Sequence, residues 1–352
     1  MKGLVDTVWR LSAPTRPGAF RLWLALLVFV HHLSSLGLGP FAVYIFFAIS
    51  GFWIQTMWDQ RYRGASQPYR TYLTSRFWRL APMMIVINAI TVIFLLGIGF
   101  SDRELLGEAV HLLISSVFLL GYAWLDYLPV GAAWSLDVEA QFYCIVPLLA
   151  ALLRRMEPKA FLLLAAAANL AFNAFLDIPP TLLQHVVYFA IGMAAARGDW
   201  RPSNRMAGTS AGLVIAICLA LTLSPLHGML WGGAEPGPLY VYNPSLNAGL
   251  ALLAMPYALW TVRQPDDQRD LMFGDLSYIV YLQHWAAMQW FATLDGTFWQ
   301  RLPAAALCFV VVLPMSFALW RWIDRPLQQR RAAWVKSRVT TPAVRANGRV
   351  FT

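Results

Sequence analysis

A chain of 352 residues that is 59% hydrophobic, only 13% charged and set with 16 tryptophans, at a mean hydropathy of +0.53, excludes an ordinary soluble domain and indicates an integral membrane protein. The net charge of +9 would suggest nucleic acid in a soluble protein, but here the basic residues sit at the ends of apolar runs, where the membrane accounts for them, so nucleic acid is not implied. Cys144, Cys218 and Cys308 fall inside apolar runs without paired spacing and read as packing residues rather than disulfides or ligands.

Apolar runs of spanning length occur at about 20–36, 40–57, 77–100, 134–153, 160–176, 181–196, 207–223, 245–262, 271–292 and 303–320. The first follows Lys2, Arg10 and Arg16 as a secretory leader would, but a second follows almost at once, so it is expected to be retained as an anchor. It reads FRLWLALLVFVHHLSSL. Arg21 and His32 are eleven residues apart in it, three helical turns plus only about 20°, so they share one face at an axial separation of roughly 16 Å. An ionisable residue well inside a span is by default functional and faces protein or water; the alternative is a histidine hydrogen-bonded to a neighbouring helix. His31 points elsewhere and takes that second reading.

The second run contains FFAISGFWI, Phe46 to Ile54, where Ser50 and Gly51 permit close helix approach beside the first span. A basic loop then ends in SRFWRLAP, with Arg76 and Arg79 three apart and so neighbours at the mouth of the third span; membrane-anchoring arginines would look the same. The stretch 105–121 is shorter and carries Glu108 and His111. With a cytoplasmic N-terminus and ten spans, 25 of the 27 lysines and arginines fall inside, leaving only Arg103 and Arg301 outside. A crossing at 105–121 would invert every later loop, so it is expected to be re-entrant or interfacial on the outer face.

The fourth run opens with WSLDVEAQFYCIVPLL, which places Glu139 about 8 Å below the outer boundary, at a depth similar to that of His32. In GDLSYIVYLQHW, His284 stands about 20 Å above the inner face. Three ionisable groups near one level favour a buried polar site, with Tyr143, Ser277 and Tyr278 as additional polar candidates. His111, His185 and His227 lack such a pattern, and Asp137 is expected to cap its helix or face the outer water. No zinc spacing and no phosphate-binding loop is present, so neither a metal nor ATP chemistry is supported. The expected architecture is an all-α integral membrane protein of about ten transmembrane helices plus one re-entrant or interfacial helix. Residues 1–19 form a cytoplasmic segment, 20–326 the membrane domain and 327–352 a basic cytoplasmic tail, partly disordered or lying on anionic lipid.

These residues resemble the bacterial acyltransferase-3 family of membrane O-acyltransferases, from Arg21 to Pro326. The resemblance is carried by the Arg21 to His32 spacing, FFAISGF, the Arg76/Arg79 pair before Pro82, WSLDVEAQFY with Glu139, SYIVYLQH, and the closing DRP at Asp324 to Pro326. Tyr44 stands where many members have an acidic residue, and Trp23 replaces a small one, departures that bear on the acceptor pocket. The resemblance implies transfer of an acyl group, commonly acetyl, from cytoplasmic acyl-CoA to a sugar hydroxyl of a surface polysaccharide or glycolipid at the bacterial inner membrane. Acyl-CoA is then a co-substrate, and no cofactor is required. A base must take the hydroxyl proton, for which His32 is the candidate, with Glu139 orienting the imidazole and stabilising its charged form. Arg21, Arg76 and Arg79 are expected to hold the donor's phosphates, a task that suits guanidinium forks. The rival from another class is a glycolipid or polysaccharide transporter or flippase, in which the same groups line a substrate or proton path. A membrane glycosyltransferase would want an acidic pair near the first spans, and Gly37 to Gly39 offers none.

Overall fold

The computed structural model describes residues 14–100, 107–175, 178–233 and 236–339. Among these residues the chain is helical, with one isolated antiparallel bridge between Leu36 and Trp231 and no strand. The α-helices are α1 (Pro17–Leu33), α2 (Gly39–Met57), α3 (Pro68–Gly97), α4 (Ala109–Phe118), α5 (Trp134–Arg155), α6 (Pro158–Phe175), α7 (Val186–Arg197), α8 (Asn204–Thr222), α9 (Asn243–Thr261), α10 (Gln268–Ala292), α11 (Phe298–Leu319) and α12 (Arg325–Lys336). Two π-helical turns, Trp58–Tyr62 and Trp320–Asp324, continue α2 and join α11 to α12.

Among the described residues each of the ten apolar runs falls mostly on a helix. Among the described residues six helical segments are by themselves long and apolar enough to cross a bilayer: Gly39–Tyr62, Pro68–Gly97, Gly131–Arg155, Pro158–Phe175, Asn204–Thr222 and Trp299–Lys336. The other four runs fall on helices that miss this standard for one of two physical reasons. Helices α1 and α7 are apolar but short, at 17 and 12 residues, whereas α9 and α10 have the length but carry buried polar residues such as Asn243, Asn247, Asp270, Gln283 and His284. Hydropathy thus falls where side chains face protein rather than lipid. The converse holds on α6, where Leu163 and Leu170 are 71% and 70% exposed, an apolar surface suited to hydrocarbon.

The chain divides into two compact units, Met1–Ile49 with Trp200–Phe317 and Ser50–Asp199 with Ala318–Thr352. In the first, α1 lies along α10. Pro17 sets the first turn of α1, and two of the amides that no helical carbonyl can satisfy, those of Gly18 and Ala19, donate to Asp270 Oδ2 and Oδ1, both at 2.9 Å. The approach leaves no space for a side chain at Gly18, where a Cβ would overlap the Asp270 carbonyl. The turn after α1 is held by amides: Asn243 and Asn247 both donate to the Gly37 carbonyl at 3.0 and 2.8 Å, and Asn247 Oδ1 accepts from Phe41 N at 2.9 Å. Phe29, Leu33, Phe291, Cys308 and Val312 form a buried cluster that seats α11 against the same pair of helices.

In the second unit the close approach expected at Gly51 beside the first span is made instead to α7, where a Cβ would overlap the Phe189 carbonyl. Asp137, expected to cap or to face water, is instead 1% exposed and accepts from Ala123 N and Gln141 Nε2, each at 3.0 Å. A carboxylate with two such donors is satisfied without solvent. Helix α4 has 10 residues and a length of about 15 Å, half of a hydrocarbon core about 30 Å thick. It is tied down by Asn88 Nδ2 to Ser116 Oγ and by Tyr122 Oη to Asn88 Oδ1, both 2.9 Å, and by His111 to the Gly121 carbonyl at 2.9 Å. Residues 101–106 lie outside the described residues. The segment Trp299–Lys336 runs for 38 residues, about 57 Å, so it is longer than the core is thick. The basic tail is therefore helical as far as Lys336, while 340–352 lie outside the described residues.

Candidate active site

In the first unit His32 occupies the last turn of α1, half-buried. Its ring stacks on that of His284 with centroids 5.3 Å apart and planes 22° apart, and the Trp285 ring meets it edge-on at 4.9 Å. His284 is fully buried, and its Nδ1 lies 3.2 Å from the Val280 carbonyl. A carbonyl only accepts, so Nδ1 carries the hydrogen and Nε2 the lone pair. That Nε2 has no protein partner, and neither has the buried indole N–H of Trp285. An acceptor nitrogen and a donor N–H, both desolvated and unanswered, are costly features in a packed interior and point to a bound group that answers them. Phe29, 5.3 Å from His284, closes the apolar side.

His31 is otherwise employed. Its Nδ1 donates to the Leu36 carbonyl at 2.7 Å and Gly39 packs directly against its ring, so it locks the turn between α1 and α2. Arg21 lies beside Gly274 of α10, where a Cβ would sit 3.5 Å from its Nη1. Ser277 bonds back to the Gly274 carbonyl at 2.8 Å and Tyr278 is buried, so Ser277 is satisfied within its own helix.

In the second unit Glu139 of α5 accepts at Oε1 from Ser50 Oγ at 2.5 Å and from Tyr143 Oη at 2.7 Å. Arg76 of α3 is 7% exposed and donates to Tyr62 Oη at 3.2 Å, while its Nε is buried without a partner. Tyr62 Oη is 2.9 Å from Ser75 Oγ. Arg79 pairs with Asp324 at 3.4 Å, and Gln328 of α12 donates to Asp324 Oδ1 at 2.8 Å and to the Arg79 carbonyl at 3.2 Å. Arg331 closes the network, giving Nη1 to Ser75 Oγ at 3.0 Å and Nε to Gln328 Oε1 at 2.7 Å.

The structure thus brings His32 to His284, Glu139 to Tyr143, and Arg76 and Arg79 into one polar network. His32 and Arg21 belong to the first unit, Glu139, Arg76 and Arg79 to the second. Sequence reasoning missed Trp285, Tyr62, Ser75, Gln328 and Arg331. Only Asp324, in the DRP motif, carried a signal. Tyr62 and Asp324 close the two π-turns, a local irregularity that often marks functional positions but that residue spacing does not announce. Among the described residues no group of three or more His, Cys, Asp or Glu is placed to hold a metal ion.

A family model described as "Acyltransferase domain" matches residues 16–321, and so takes in every residue of both clusters except Asp324, Gln328 and Arg331. Nodulation protein 10 of Rhizobium leguminosarum bv. viciae is 24% identical over 333 residues, covering 85% of this chain and 84% of that protein. No solved structure matches.

Proposed function

The chain belongs to the acyltransferase-3 family and is a membrane acyltransferase, and from that premise we propose that it moves an acyl group, acetyl in the simplest case, from cytoplasmic acyl-CoA to a sugar hydroxyl of an exported polysaccharide or glycolipid. The observation that carries the chemistry is the stacked pair of His32 and His284, one half-buried and one fully buried, in the apolar contact of α1 with α10. In this reading His32 takes the proton of the attacking hydroxyl. The new C–O bond forms, the C–S bond breaks, and the departing CoA thiolate recovers that proton from the imidazolium. His284, held by Val280, fixes the ring against which His32 stacks. The Trp285 N–H supports the thioester oxygen as it gains charge, in the manner of an oxyanion donor. Ser50 and Tyr143 hold the carboxylate of Glu139, the residue assigned from the sequence to support the charged imidazole. Arg21, Arg76 and Arg79 take the donor's phosphates.

In this reading the protein lies in a bacterial inner membrane with ten spans and both termini cytoplasmic, the orientation that keeps 25 of the 27 basic residues inside. Purified protein incubated with radiolabelled acetyl-CoA tests the reaction class. Release of free CoA or label on an acceptor is expected, whereas a transporter or flippase would leave the thioester intact. Mass spectrometry of surface glycans from cells with and without the gene would then identify the acceptor by the loss of an acyl mass.

A further inference from the structure

The arginine network of the second unit contains a cation that the donor-binding pair does not account for. Arg331, on the helix after the last apolar run, bonds only to the neutral Ser75 and Gln328 among its hydrogen-bond partners. The guanidiniums of Arg76 and Arg79, and more weakly that of Arg61, repel it, with only the Tyr62 phenol acting the other way. The carboxylate of the network, Asp324, is bonded by Arg79 and Gln328. Gathering guanidiniums around a shared serine and tyrosine is unfavourable unless an anion joins them. A second observation points the same way: Arg76, more than nine-tenths buried, keeps its Nε without any partner.

We infer that Arg331 adds a further guanidinium to the donor site, beside Arg76 and Arg79, and that it holds the 3′-phosphate of CoA. This rests on the acyl-CoA reading above and deepens it. Arg76 and Arg79, three residues apart on one helix, suit two phosphates joined in a diphosphate. CoA carries a further phosphate as a monoester on the ribose, with close to two negative charges at neutral pH. A cation delivered from a different helix suits that separate group. Ser75 and Gln328 hold the guanidinium in place, so little side-chain freedom is lost when the phosphate arrives. Arg331 is then a specificity residue: it distinguishes CoA from the same thioester lacking the 3′-phosphate.

Equilibrium binding of CoA and of 3′-dephospho-CoA to the purified full-length protein, wild type and Arg331→Gln, tests this. The wild type is expected to prefer CoA by about tenfold or more, the scale of a hydrogen bond to a charged group. Arg331→Gln should lose that preference by weakening CoA while leaving 3′-dephospho-CoA unchanged. Arg331→Lys, which keeps the charge, should retain part of it. A purely structural arginine would weaken both ligands alike in a variant that still folds, and that result overturns the inference; so does a wild type without preference, which is read without the variant. Failure of the wild type to bind either ligand would instead overturn the acyl-CoA reading on which the inference stands.

Discussion

His32 is defined by its neighbours: an imidazole stacked on a fully buried second imidazole and met by the edge of an indole. If His32 is the base proposed above, His32→Ala should lower kcat by roughly 10²- to 10⁴-fold, the contribution typical of positioned general bases. Trp285→Phe keeps the ring and deletes one N–H. The expected effect is a fall in kcat of roughly 10²-fold with an unchanged KM, since an oxyanion donor acts on the transition state; a rise in KM at constant kcat would assign Trp285 to substrate binding instead. The residues of this cluster were unequally legible. His32 and His284 announced themselves, because a titratable side chain in an apolar run is conspicuous and helical rise gives its depth. Trp285 did not, since one tryptophan among 16 carries no signal until its N–H is found without a partner. Tyr62, Ser75 and Arg331 were invisible for a related reason: Arg331 reaches Ser75 across 256 residues of sequence, and although Tyr62 and Ser75 are only 13 apart, no helical spacing brings them together across a turn.

At the scale of elements, the α1–α10 contact positions His32 against His284, and it depends on two features. One is the acceptance by Asp270 of the first free amides of α1; the other is the bare backbone at Gly18. Asp270→Ala strips the amide acceptors from a buried helix end and should destabilise the protein by about 1–3 kcal/mol. Gly18→Leu forces the helices apart, at a cost of about 1–3 kcal/mol and with loss of transfer activity through the displaced His32. Thermal unfolding in detergent would measure both. A stable, fully active Gly18→Leu protein would show that the contact does not position the base. The helices themselves were largely legible, because apolar runs and basic loops are strong signals. Their contacts were not. Gly51 read as a small residue for packing, but a small residue does not say which helix approaches it, and α7 is the one that does.

For the whole molecule, topology is what separates a donor entering from the cytoplasm from an acceptor outside. In the proposed ten-span orientation both ends of α4 lie on the outer side, and the 10-residue length of that helix accords with its not crossing. With Cys144, Cys218 and Cys308 replaced by alanine, Gly107→Cys and Asp126→Cys flank α4 and should both react with an impermeant thiol reagent from outside; labelling from opposite sides would sink the ten-span arrangement. The six segments long and apolar enough to cross on their own would not alone have fixed that arrangement. A hydropathy criterion passes over a helix that is short or lined with buried polar groups, as α1 and α10 are, and those are the helices that carry His32 and His284.

The central claim is that this membrane protein transfers an acyl group from CoA with His32 as the base. It is tested most directly by following free CoA release from acetyl-CoA in purified wild-type and His32→Ala protein supplied with a cell-surface glycan fraction, with acyl-CoA binding measured on the same samples. The account expects release by the wild type, a loss of at least about 10²-fold in His32→Ala, and acyl-CoA binding preserved in both. Near-normal release by His32→Ala, or binding without any release by the wild type, would contradict it.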